Sequence, residues 1–127
     1  MDKTEFAKIR KHFGKTQEQI AQLLNTSNKA IQSYEQGWRD IPANIERQVL
    51  FLLAIKRSHY ILTTPCWLIK KCPIEIRIKC PAWEFQAGSL GWFINGTICD
   101  GEVQENWQEK MKICRECEVF QSMLPNF

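Results

Sequence analysis

Apolar residues in the first sixty positions recur every three or four residues, the spacing at which side chains share one face of a helix. Phe6, Ile9 and Phe13 form the first such stripe, and Gly14 interrupts it. The capping box Thr16-Gln17-Glu18-Gln19 then predicts the start of a second helix. The apolar positions of this second helix are Ile20, Ala21, Leu23 and Leu24. Two short amphipathic helices are therefore predicted at the start of the chain.

A tight turn and a third helix are predicted next. Asn25 tolerates the left-handed backbone of a turn, Ser27 can cap the helix, and Gly37 can end it. One face of this helix is apolar and consists of Ala30, Ile31 and Tyr34. The opposite face has no acidic residue and consists of Asn28, Lys29, Gln32, Ser33 and Gln36. On an arbitrary helix this face is a solvated surface, but Asn and Gln can also pair with adenine edges, and Lys can reach guanine or phosphate.

A longer apolar pattern after Pro42 predicts a fourth helix, from Ala43 to about Ser58. Its apolar side chains cover more than one face, so we expect it to contact the first three helices and a further partner, either a second copy or the C-terminal residues. The longest apolar run, Val49 to Ile55, is too short to cross a membrane. The first residues contain no apolar signal core, so a cytoplasmic location is predicted.

Charge is distributed unevenly along the chain. Residues 1–59 hold ten Lys and Arg against six Asp and Glu, a net charge of +4, whereas residues 60–127 have a net charge of −1. A basic first half suits a polyanionic partner, although ordinary domains often have a charge of this size. We predict two domains, 1–59 and 60–127, because all six cysteines also lie in the second.

The first domain resembles the lambda-repressor-like (XRE) helix-turn-helix family from about Phe6 to Arg57. The matching residues are Thr16-Gln17-Glu18-Gln19-Ile20-Ala21-Gln22-Leu23-Leu24, Ser27, Ile31 and Tyr34-Glu35-Gln36-Gly37. Asn25 stands where the family usually has glycine. Glu35 is interpreted as structural, paired with a first-helix base such as Arg10, and Arg39 as either a phosphate contact or a solvated side chain.

The resemblance implies binding to a double-stranded DNA operator. It implies that Gln17 contacts a phosphate from the N-terminus of the second helix. It also implies that five side chains face the major groove, namely Ser27, Asn28, Lys29, Gln32 and Ser33. A homodimer would place two such helices about 34 Å apart, on successive major grooves.

The second domain is predicted to bind metal through its cysteines: Cys66, Cys72, Cys80, Cys99, Cys114 and Cys117. Inside cells, clustered cysteines bind metal more often than they form disulfides, and the spacing Cys114-x-x-Cys117 suits chelation from one turn. Structural zinc sites usually take two such pairs, whereas wide, uneven spacings suit an iron–sulfur cluster. The alternative is that these are buried free thiols. Cys114 and Cys117 rank first as ligands, then Cys66, Cys72 and Cys80, and Cys99 ranks last.

An internal echo relates two parts of the second domain, because Cys66-Trp67-Leu68-Ile69 aligns with Gly91-Trp92-Phe93-Ile94. The domain resembles the "two-CW" cysteine-rich modules of regulatory proteins from anaerobic bacteria. Matching residues are Cys66-Trp67, Cys72, Cys80-Pro81-Ala82, Trp92, Cys99 and Cys114-x-x-Cys117. Gly91 departs from that pattern, standing where the module has its second CW cysteine. We expect a four-thiolate site, with a 4Fe–4S cluster favoured and zinc as the alternative.

The predicted fold is a mainly α helix-turn-helix bundle of four to five helices followed by a small irregular α+β cysteine-rich module. The tryptophans of the cysteine-rich module are expected to shield its metal centre from water. His12 and His59 lack ligand-like spacing. No phosphate-binding glycine loop, nucleophile elbow or metal-hydrolase motif is present, so neither an enzyme nor a small-molecule substrate is predicted. The expected function is a transcriptional regulator whose DNA affinity depends on the cluster as a sensor of redox state, oxygen or nitric oxide. The alternative is constitutive DNA binding with a structural zinc site used for folding, dimerisation or partner binding.

Overall fold

The computed structural model describes residues 1–57 and 65–123, which form two compact units. The first contains Met1–Ile55, and the second begins at Lys56. The predicted boundary between residues 59 and 60 lies outside the described residues, as do His59 and the predicted helix end at Ser58.

Three short helices form the first part of the chain, and each begins at a residue that caps it. They are α1 (Lys3–His12), α2 (Gln17–Leu23) and α3 (Asn28–Gln36). The predicted capping box of α2 is present, because the backbone N–H of Gln19 donates to Thr16 and the Gln19 side chain accepts from the Thr16 N–H. Ser27 caps α3 by accepting from the Ala30 N–H at 3.0 Å. These caps hold the ends of the helices where the sequence predicts them.

Two left-handed residues define the ends of the segment that presents α3. Asn25, in the turn after α2, has φ 54°, and Gly37, at the end of α3, has φ 80°. A side chain at position 37 would also crowd Lys3, whose Cδ lies 3.2 Å from the position of a Cβ. Asn25 thus adopts the conformation that glycine supplies at low cost, which confirms its predicted role in the turn.

The core of the first unit is apolar and draws on all of its helices, including α4 (Ala43–Arg57). Its main members are Phe6, Ile9, Ile20, Leu24, Ile31, Tyr34, Ile45, Val49, Leu50 and Leu53. The rings of Phe6 and Tyr34 meet edge to face, with their centroids 6.0 Å apart. This core fixes α3 with its polar face outward.

The second unit consists of short elements. In chain order these are α5 (Cys66–Ile69), α6 (Ile74–Arg77), α7 (Pro81–Glu84), β1 (Ile98–Cys99), β2 (Glu102–Val103), α8 (Trp107–Cys114) and α9 (Glu118–Met123). Its core includes Ala82, Trp92, Trp107, Met111 and Phe120. The architecture agrees with the predicted small, irregular α+β unit.

A β-hairpin in the second unit was not predicted. β1 and β2 pair in antiparallel register, with Ile98 opposite Val103 and Cys99 opposite Glu102. The connecting Asp100 and Gly101 have φ values of 53° and 80°, as a type I′ turn requires. The dipeptide Asp-Gly is a strong hairpin signal, and it fixes the position of Cys99.

Candidate nucleic-acid interface and candidate metal centre

The exposed face of α3 carries most of the side chains predicted to read DNA. Asn28, Lys29 and Gln32 are exposed. Ser27 is exposed too, but its hydroxyl oxygen accepts the capping hydrogen bond. Ser33 is half-buried and donates to the Lys29 carbonyl at 3.0 Å. The long amide and ammonium groups are therefore the ones available to a partner of α3, and the two hydroxyls serve the helix itself.

Glu35 joins three helices through its carboxylate. Arg10 of α1 donates to it from Nε at 2.5 Å and from Nη2 at 3.3 Å. The Gln17 amide of α2 donates to Oε2 of the same carboxylate. The predicted pairing of Glu35 with Arg10 is confirmed, and its negative charge is engaged within the fold. The contact of Gln17 with phosphate stays a prediction, since its amide serves Glu35 here.

Two further side chains lie just after α3. Arg39 is exposed, and its guanidinium lies 5.6 Å from the centroid of the Tyr34 ring, which orients it beside the helix. Trp38 is 77% exposed, an unusual position for so large an apolar side chain. Trp38 could not be predicted from the sequence, because no periodicity distinguishes an exposed tryptophan from a buried one.

All six cysteines of the second unit line one cavity of about 50 Å³. A single buried water needs roughly 10–15 Å³, so this cavity has room for a group of more than one atom. Its wall also contains four aromatic side chains, Trp67, Trp83, Trp92 and Phe120. The described cysteines are free thiols. The structure thus brings together the complete set of predicted ligands, including Cys99.

Different elements bring the cysteines to the cavity. Cys66 begins α5, Cys80 precedes α7, Cys99 lies in β1 and Cys114 ends α8. Close packing holds the first of these in place, because the Cys66 N–H donates to the Gly88 carbonyl at 3.0 Å. A Cβ at position 88 would lie 2.8 Å from Pro65 and 2.9 Å from Trp67, so only glycine fits there.

The internal echo corresponds to a real juxtaposition. A Cβ at Gly91 would lie 3.8 Å from Cys66 Sγ and 3.7 Å from Ala82. Positions 66 and 91, which are aligned in the internal repeat, therefore lie next to each other in the wall of the cavity.

Electrostatic interactions link the thiols to one another. Burial raises the pKa of Cys66 to about 11, with smaller contributions in the same direction from four neighbouring thiols, those of Cys99, Cys80, Cys72 and Cys117. Burial likewise raises the pKa of Cys114 to about 11, against the opposing effect of Lys110. The pKa of Cys99 is raised by burial and lowered by Lys110 and by a hydrogen bond with Thr97. Burial therefore favours the neutral thiol at Cys66, Cys99 and Cys114.

Cations already lie close to these thiols. Lys110 is buried and donates to the hydroxyl of Thr97, which is also buried. Lys70 and Arg77 line the cavity. A buried ammonium is costly without an anionic neighbour, and thiolates at Cys99 and Cys114 would supply one.

The six cysteines line one cavity, but among the described residues they do not group as a single-ion site does. No three Cys, His, Asp or Glu side chains within residues 1–57 and 65–123 are close enough to hold one metal ion. With Zn–S bonds of about 2.3 Å, thiolates around one zinc lie about 3.8 Å apart. The six cysteines therefore share a cavity without forming a closed four-ligand site in the described residues.

The comparisons with known proteins concern the first unit. Residues 6–47 match the Helix-turn-helix family, about a third of the chain, and this confirms the predicted XRE-type helix-turn-helix there. That family is a DNA-binding regulator type and not an enzyme class. The match does not reach the cysteines. No curated protein and no solved structure matches the chain. None of the helices in the described residues is long and apolar enough to cross a bilayer.

Proposed function

We propose that the protein is a cytoplasmic transcriptional regulator whose affinity for a double-stranded DNA operator depends on an iron–sulfur cluster held by its cysteines. The observation that carries this proposal is the convergence on one cavity of six thiols that are dispersed along the chain from Cys66 to Cys117. The helix-turn-helix match supplies the DNA-binding half of the proposal.

The chemistry of the exposed face of α3 supports DNA recognition. Asn28 and Gln32 carry amides that can pair bidentately with adenine, and Lys29 can reach guanine or phosphate. Glu35, the only acidic residue of α3, is engaged by Arg10 and Gln17, so no free carboxylate repels phosphate there. We propose Arg39 and Trp38 as backbone contacts at the edge of this surface. Binding as a homodimer is part of the proposal, because helix-turn-helix proteins commonly read two half-sites one DNA turn apart.

The composition of the cavity supports an iron–sulfur cluster over a single zinc ion. Six cysteines offer more than the four ligands that a cluster needs, and their long, uneven spacings along the chain suit a cluster better than the paired spacings of structural zinc sites. Aromatic side chains exclude water, and nearby Lys and Arg side chains balance negative thiolates. A bound cluster supplies a one-electron couple and a group that reacts with oxygen or nitric oxide. The residues of this chain hold, shield and electrostatically balance it.

The connection between the two units supports regulation. Helix α4 belongs mainly to the first unit, yet its last residues, Lys56 and Arg57, belong to the second. We propose that the second unit acts on the DNA-binding unit through this direct covalent connection, which contains no Gly/Ser-rich linker.

The proposal is tested on the full chain purified without air. We expect iron and sulfide in stoichiometric amounts relative to the protein, and an absorbance band at about 400 nm, as thiolate-held clusters show. A duplex selected from a randomised DNA pool then serves as the probe. We expect its dissociation constant to differ at least about tenfold, or about 1.4 kcal/mol, between cluster-loaded and cluster-free protein. Zinc without sulfide rejects the cluster, and equal affinities reject the regulation.

A matched pair of variants tests the interface. Q32A removes an amide from the exposed face of α3, and we expect weaker binding of the selected duplex by about 1–3 kcal/mol. Q48A removes the same side chain from an exposed position on α4 and should leave binding unchanged. Equal effects of Q32A and Q48A would rule out α3 as the reading helix.

A further inference from the structure

The indole nitrogen of Trp92 is a buried donor without an acceptor. Trp92 is only 4% exposed, and its Nε1 has no hydrogen-bond partner among the described residues. The ring meets Phe120 and Phe93 edge to face, with centroids 5.6 Å and 5.9 Å away. Neither phenyl ring carries an oxygen or sulfur. Folded proteins rarely leave a buried N–H unpaired unless a ligand, an ion or a water completes it.

The same side chain lines the cysteine cavity. Sulfur can accept hydrogen bonds in this cavity, since Cys80 Sγ accepts from the Ile98 N–H at 3.4 Å. No cysteine of the described residues accepts from Trp92, however. Trp92 lines the cavity and its donor has no acceptor among the described residues, so a group held in the cavity could supply one.

We infer that the Trp92 indole N–H donates a hydrogen bond to a sulfur acceptor of the group held in the cysteine cavity, either an inorganic sulfide or a bound thiolate. This inference rests on the proposed function and makes Trp92 a positioning residue for the centre. A hydrogen bond to an anionic sulfur stabilises the more negative, reduced form, so it raises the reduction potential of a cluster. It also relieves the unpaired donor, so loading the cavity and burying Trp92 reinforce each other.

The test compares W92F with W67F in the full chain purified without air. W92F keeps an aromatic ring and removes the N–H. We expect the midpoint potential of the W92F cluster to be more negative by about 59 mV for one electron. At a fixed potential, the ratio of reduced to oxidised cluster should then fall roughly tenfold. W67F is the matched control, because Trp67 lines the same cavity but its nitrogen is not among the buried atoms that lack a partner. Its potential should stay unchanged.

A second measurement separates this role from ordinary packing. Loading the cavity should raise the urea midpoint of W92F less than that of the unaltered chain, because the N–H finds its acceptor only in the loaded protein, whereas the lost ring volume affects the loaded and metal-free forms alike. An unchanged potential in W92F, an equal shift in W67F, or the same gain in urea midpoint on loading for W92F and the unaltered chain would overturn the inference.

The remaining outcomes are also decisive. If the unaltered chain holds no iron and sulfide, the proposed function fails, and Co²⁺ titration of the metal-free chain then tests Trp92 alone. Roughly tenfold weaker Co²⁺ binding by W92F, with W67F unchanged, supports the donor, and equal affinity overturns it. If W92F does not fold, the indole ¹⁵N–¹H resonance of Trp92 in the unaltered chain decides. A downfield shift on zinc loading supports the hydrogen bond, and an unmoved resonance excludes it.

Discussion

Glu35 shows how a single side chain makes the helix-turn-helix both stable and suited to DNA. Its carboxylate accepts from Arg10 of α1 and from Gln17 of α2, and it is largely screened from water. The same contacts remove a free negative charge from α3, which would otherwise repel phosphate. Sequence reasoning reached the pairing with Arg10 but not the Gln17 contact, because a glutamine at the start of a helix can turn toward solvent or toward the fold.

Replacement of Glu35 is expected to destabilise the first unit. E35A leaves the half-buried Arg10 without its carboxylate, and we expect a loss of about 1–3 kcal/mol in the free energy of unfolding. Urea unfolding followed by circular dichroism measures it. E18A, at an exposed position on α2, is the control and should change stability by less than about 0.5 kcal/mol. Equal losses in the two variants would contradict a structural role for Glu35.

At the scale of elements, the turn between α2 and α3 sets the direction in which α3 is presented. Asn25 holds φ at 54° in this turn, and the Thr26 N–H donates to the Ala21 carbonyl at 2.9 Å. A side chain with a Cβ is strained in this conformation, and asparagine is strained least. The hairpin of the second unit uses the same device, with Asp100 and Gly101 both at positive φ. Residues in the left-handed conformation therefore orient both the candidate DNA-binding helix and the cysteine-lined cavity.

Substitution of Asn25 should reveal this strain. We expect N25A to lower the free energy of unfolding by about 1–2 kcal/mol, because alanine is poorly suited to the left-handed conformation. N25G should stay within about 0.5 kcal/mol of the unaltered chain, because glycine adopts that conformation readily. Thermal unfolding followed by circular dichroism measures both. The control N44A lies on helix α4 and should be neutral. A stable N25A would contradict the strain.

At the scale of the whole molecule, two units of different chemistry are joined in one chain. The first is held together by an apolar core, whereas the second encloses a cavity lined by six thiols. Because these thiols lie close together and are partly buried, their ionisation without a metal costs free energy. The pKa values of Cys66 and Cys114 rise to about 11, chiefly through burial. Metal binding must displace these protons, so metal affinity should increase with pH.

The stability of the reduced, metal-free chain should depend on pH in a definite direction. The folded thiols bind protons more tightly than unfolded ones, so their contribution is complete below about pH 9 and is lost as pH rises toward about 11. We expect a loss of roughly 1–3 kcal/mol between about pH 8 and about pH 10.5, measured by urea unfolding with reductant and chelator. C114A should lose less over the same interval. An equal loss in C114A would show that other groups cause it.

The sequence by itself determined the helix-turn-helix, from the capping box at Thr16 to the left-handed glycine at Gly37. Each of its signals acts over a few neighbouring residues, and all of them agree within one short segment, so local propensity and periodicity suffice. Only the tertiary structure decided that Cys99 joins the other five cysteines, that positions 66 and 91 face each other, and that the Trp92 nitrogen lacks an acceptor. These features depend on packing between short elements far apart in the chain. Cysteine spacing constrains which thiols lie close in sequence, but it does not fix which distant ones meet in space.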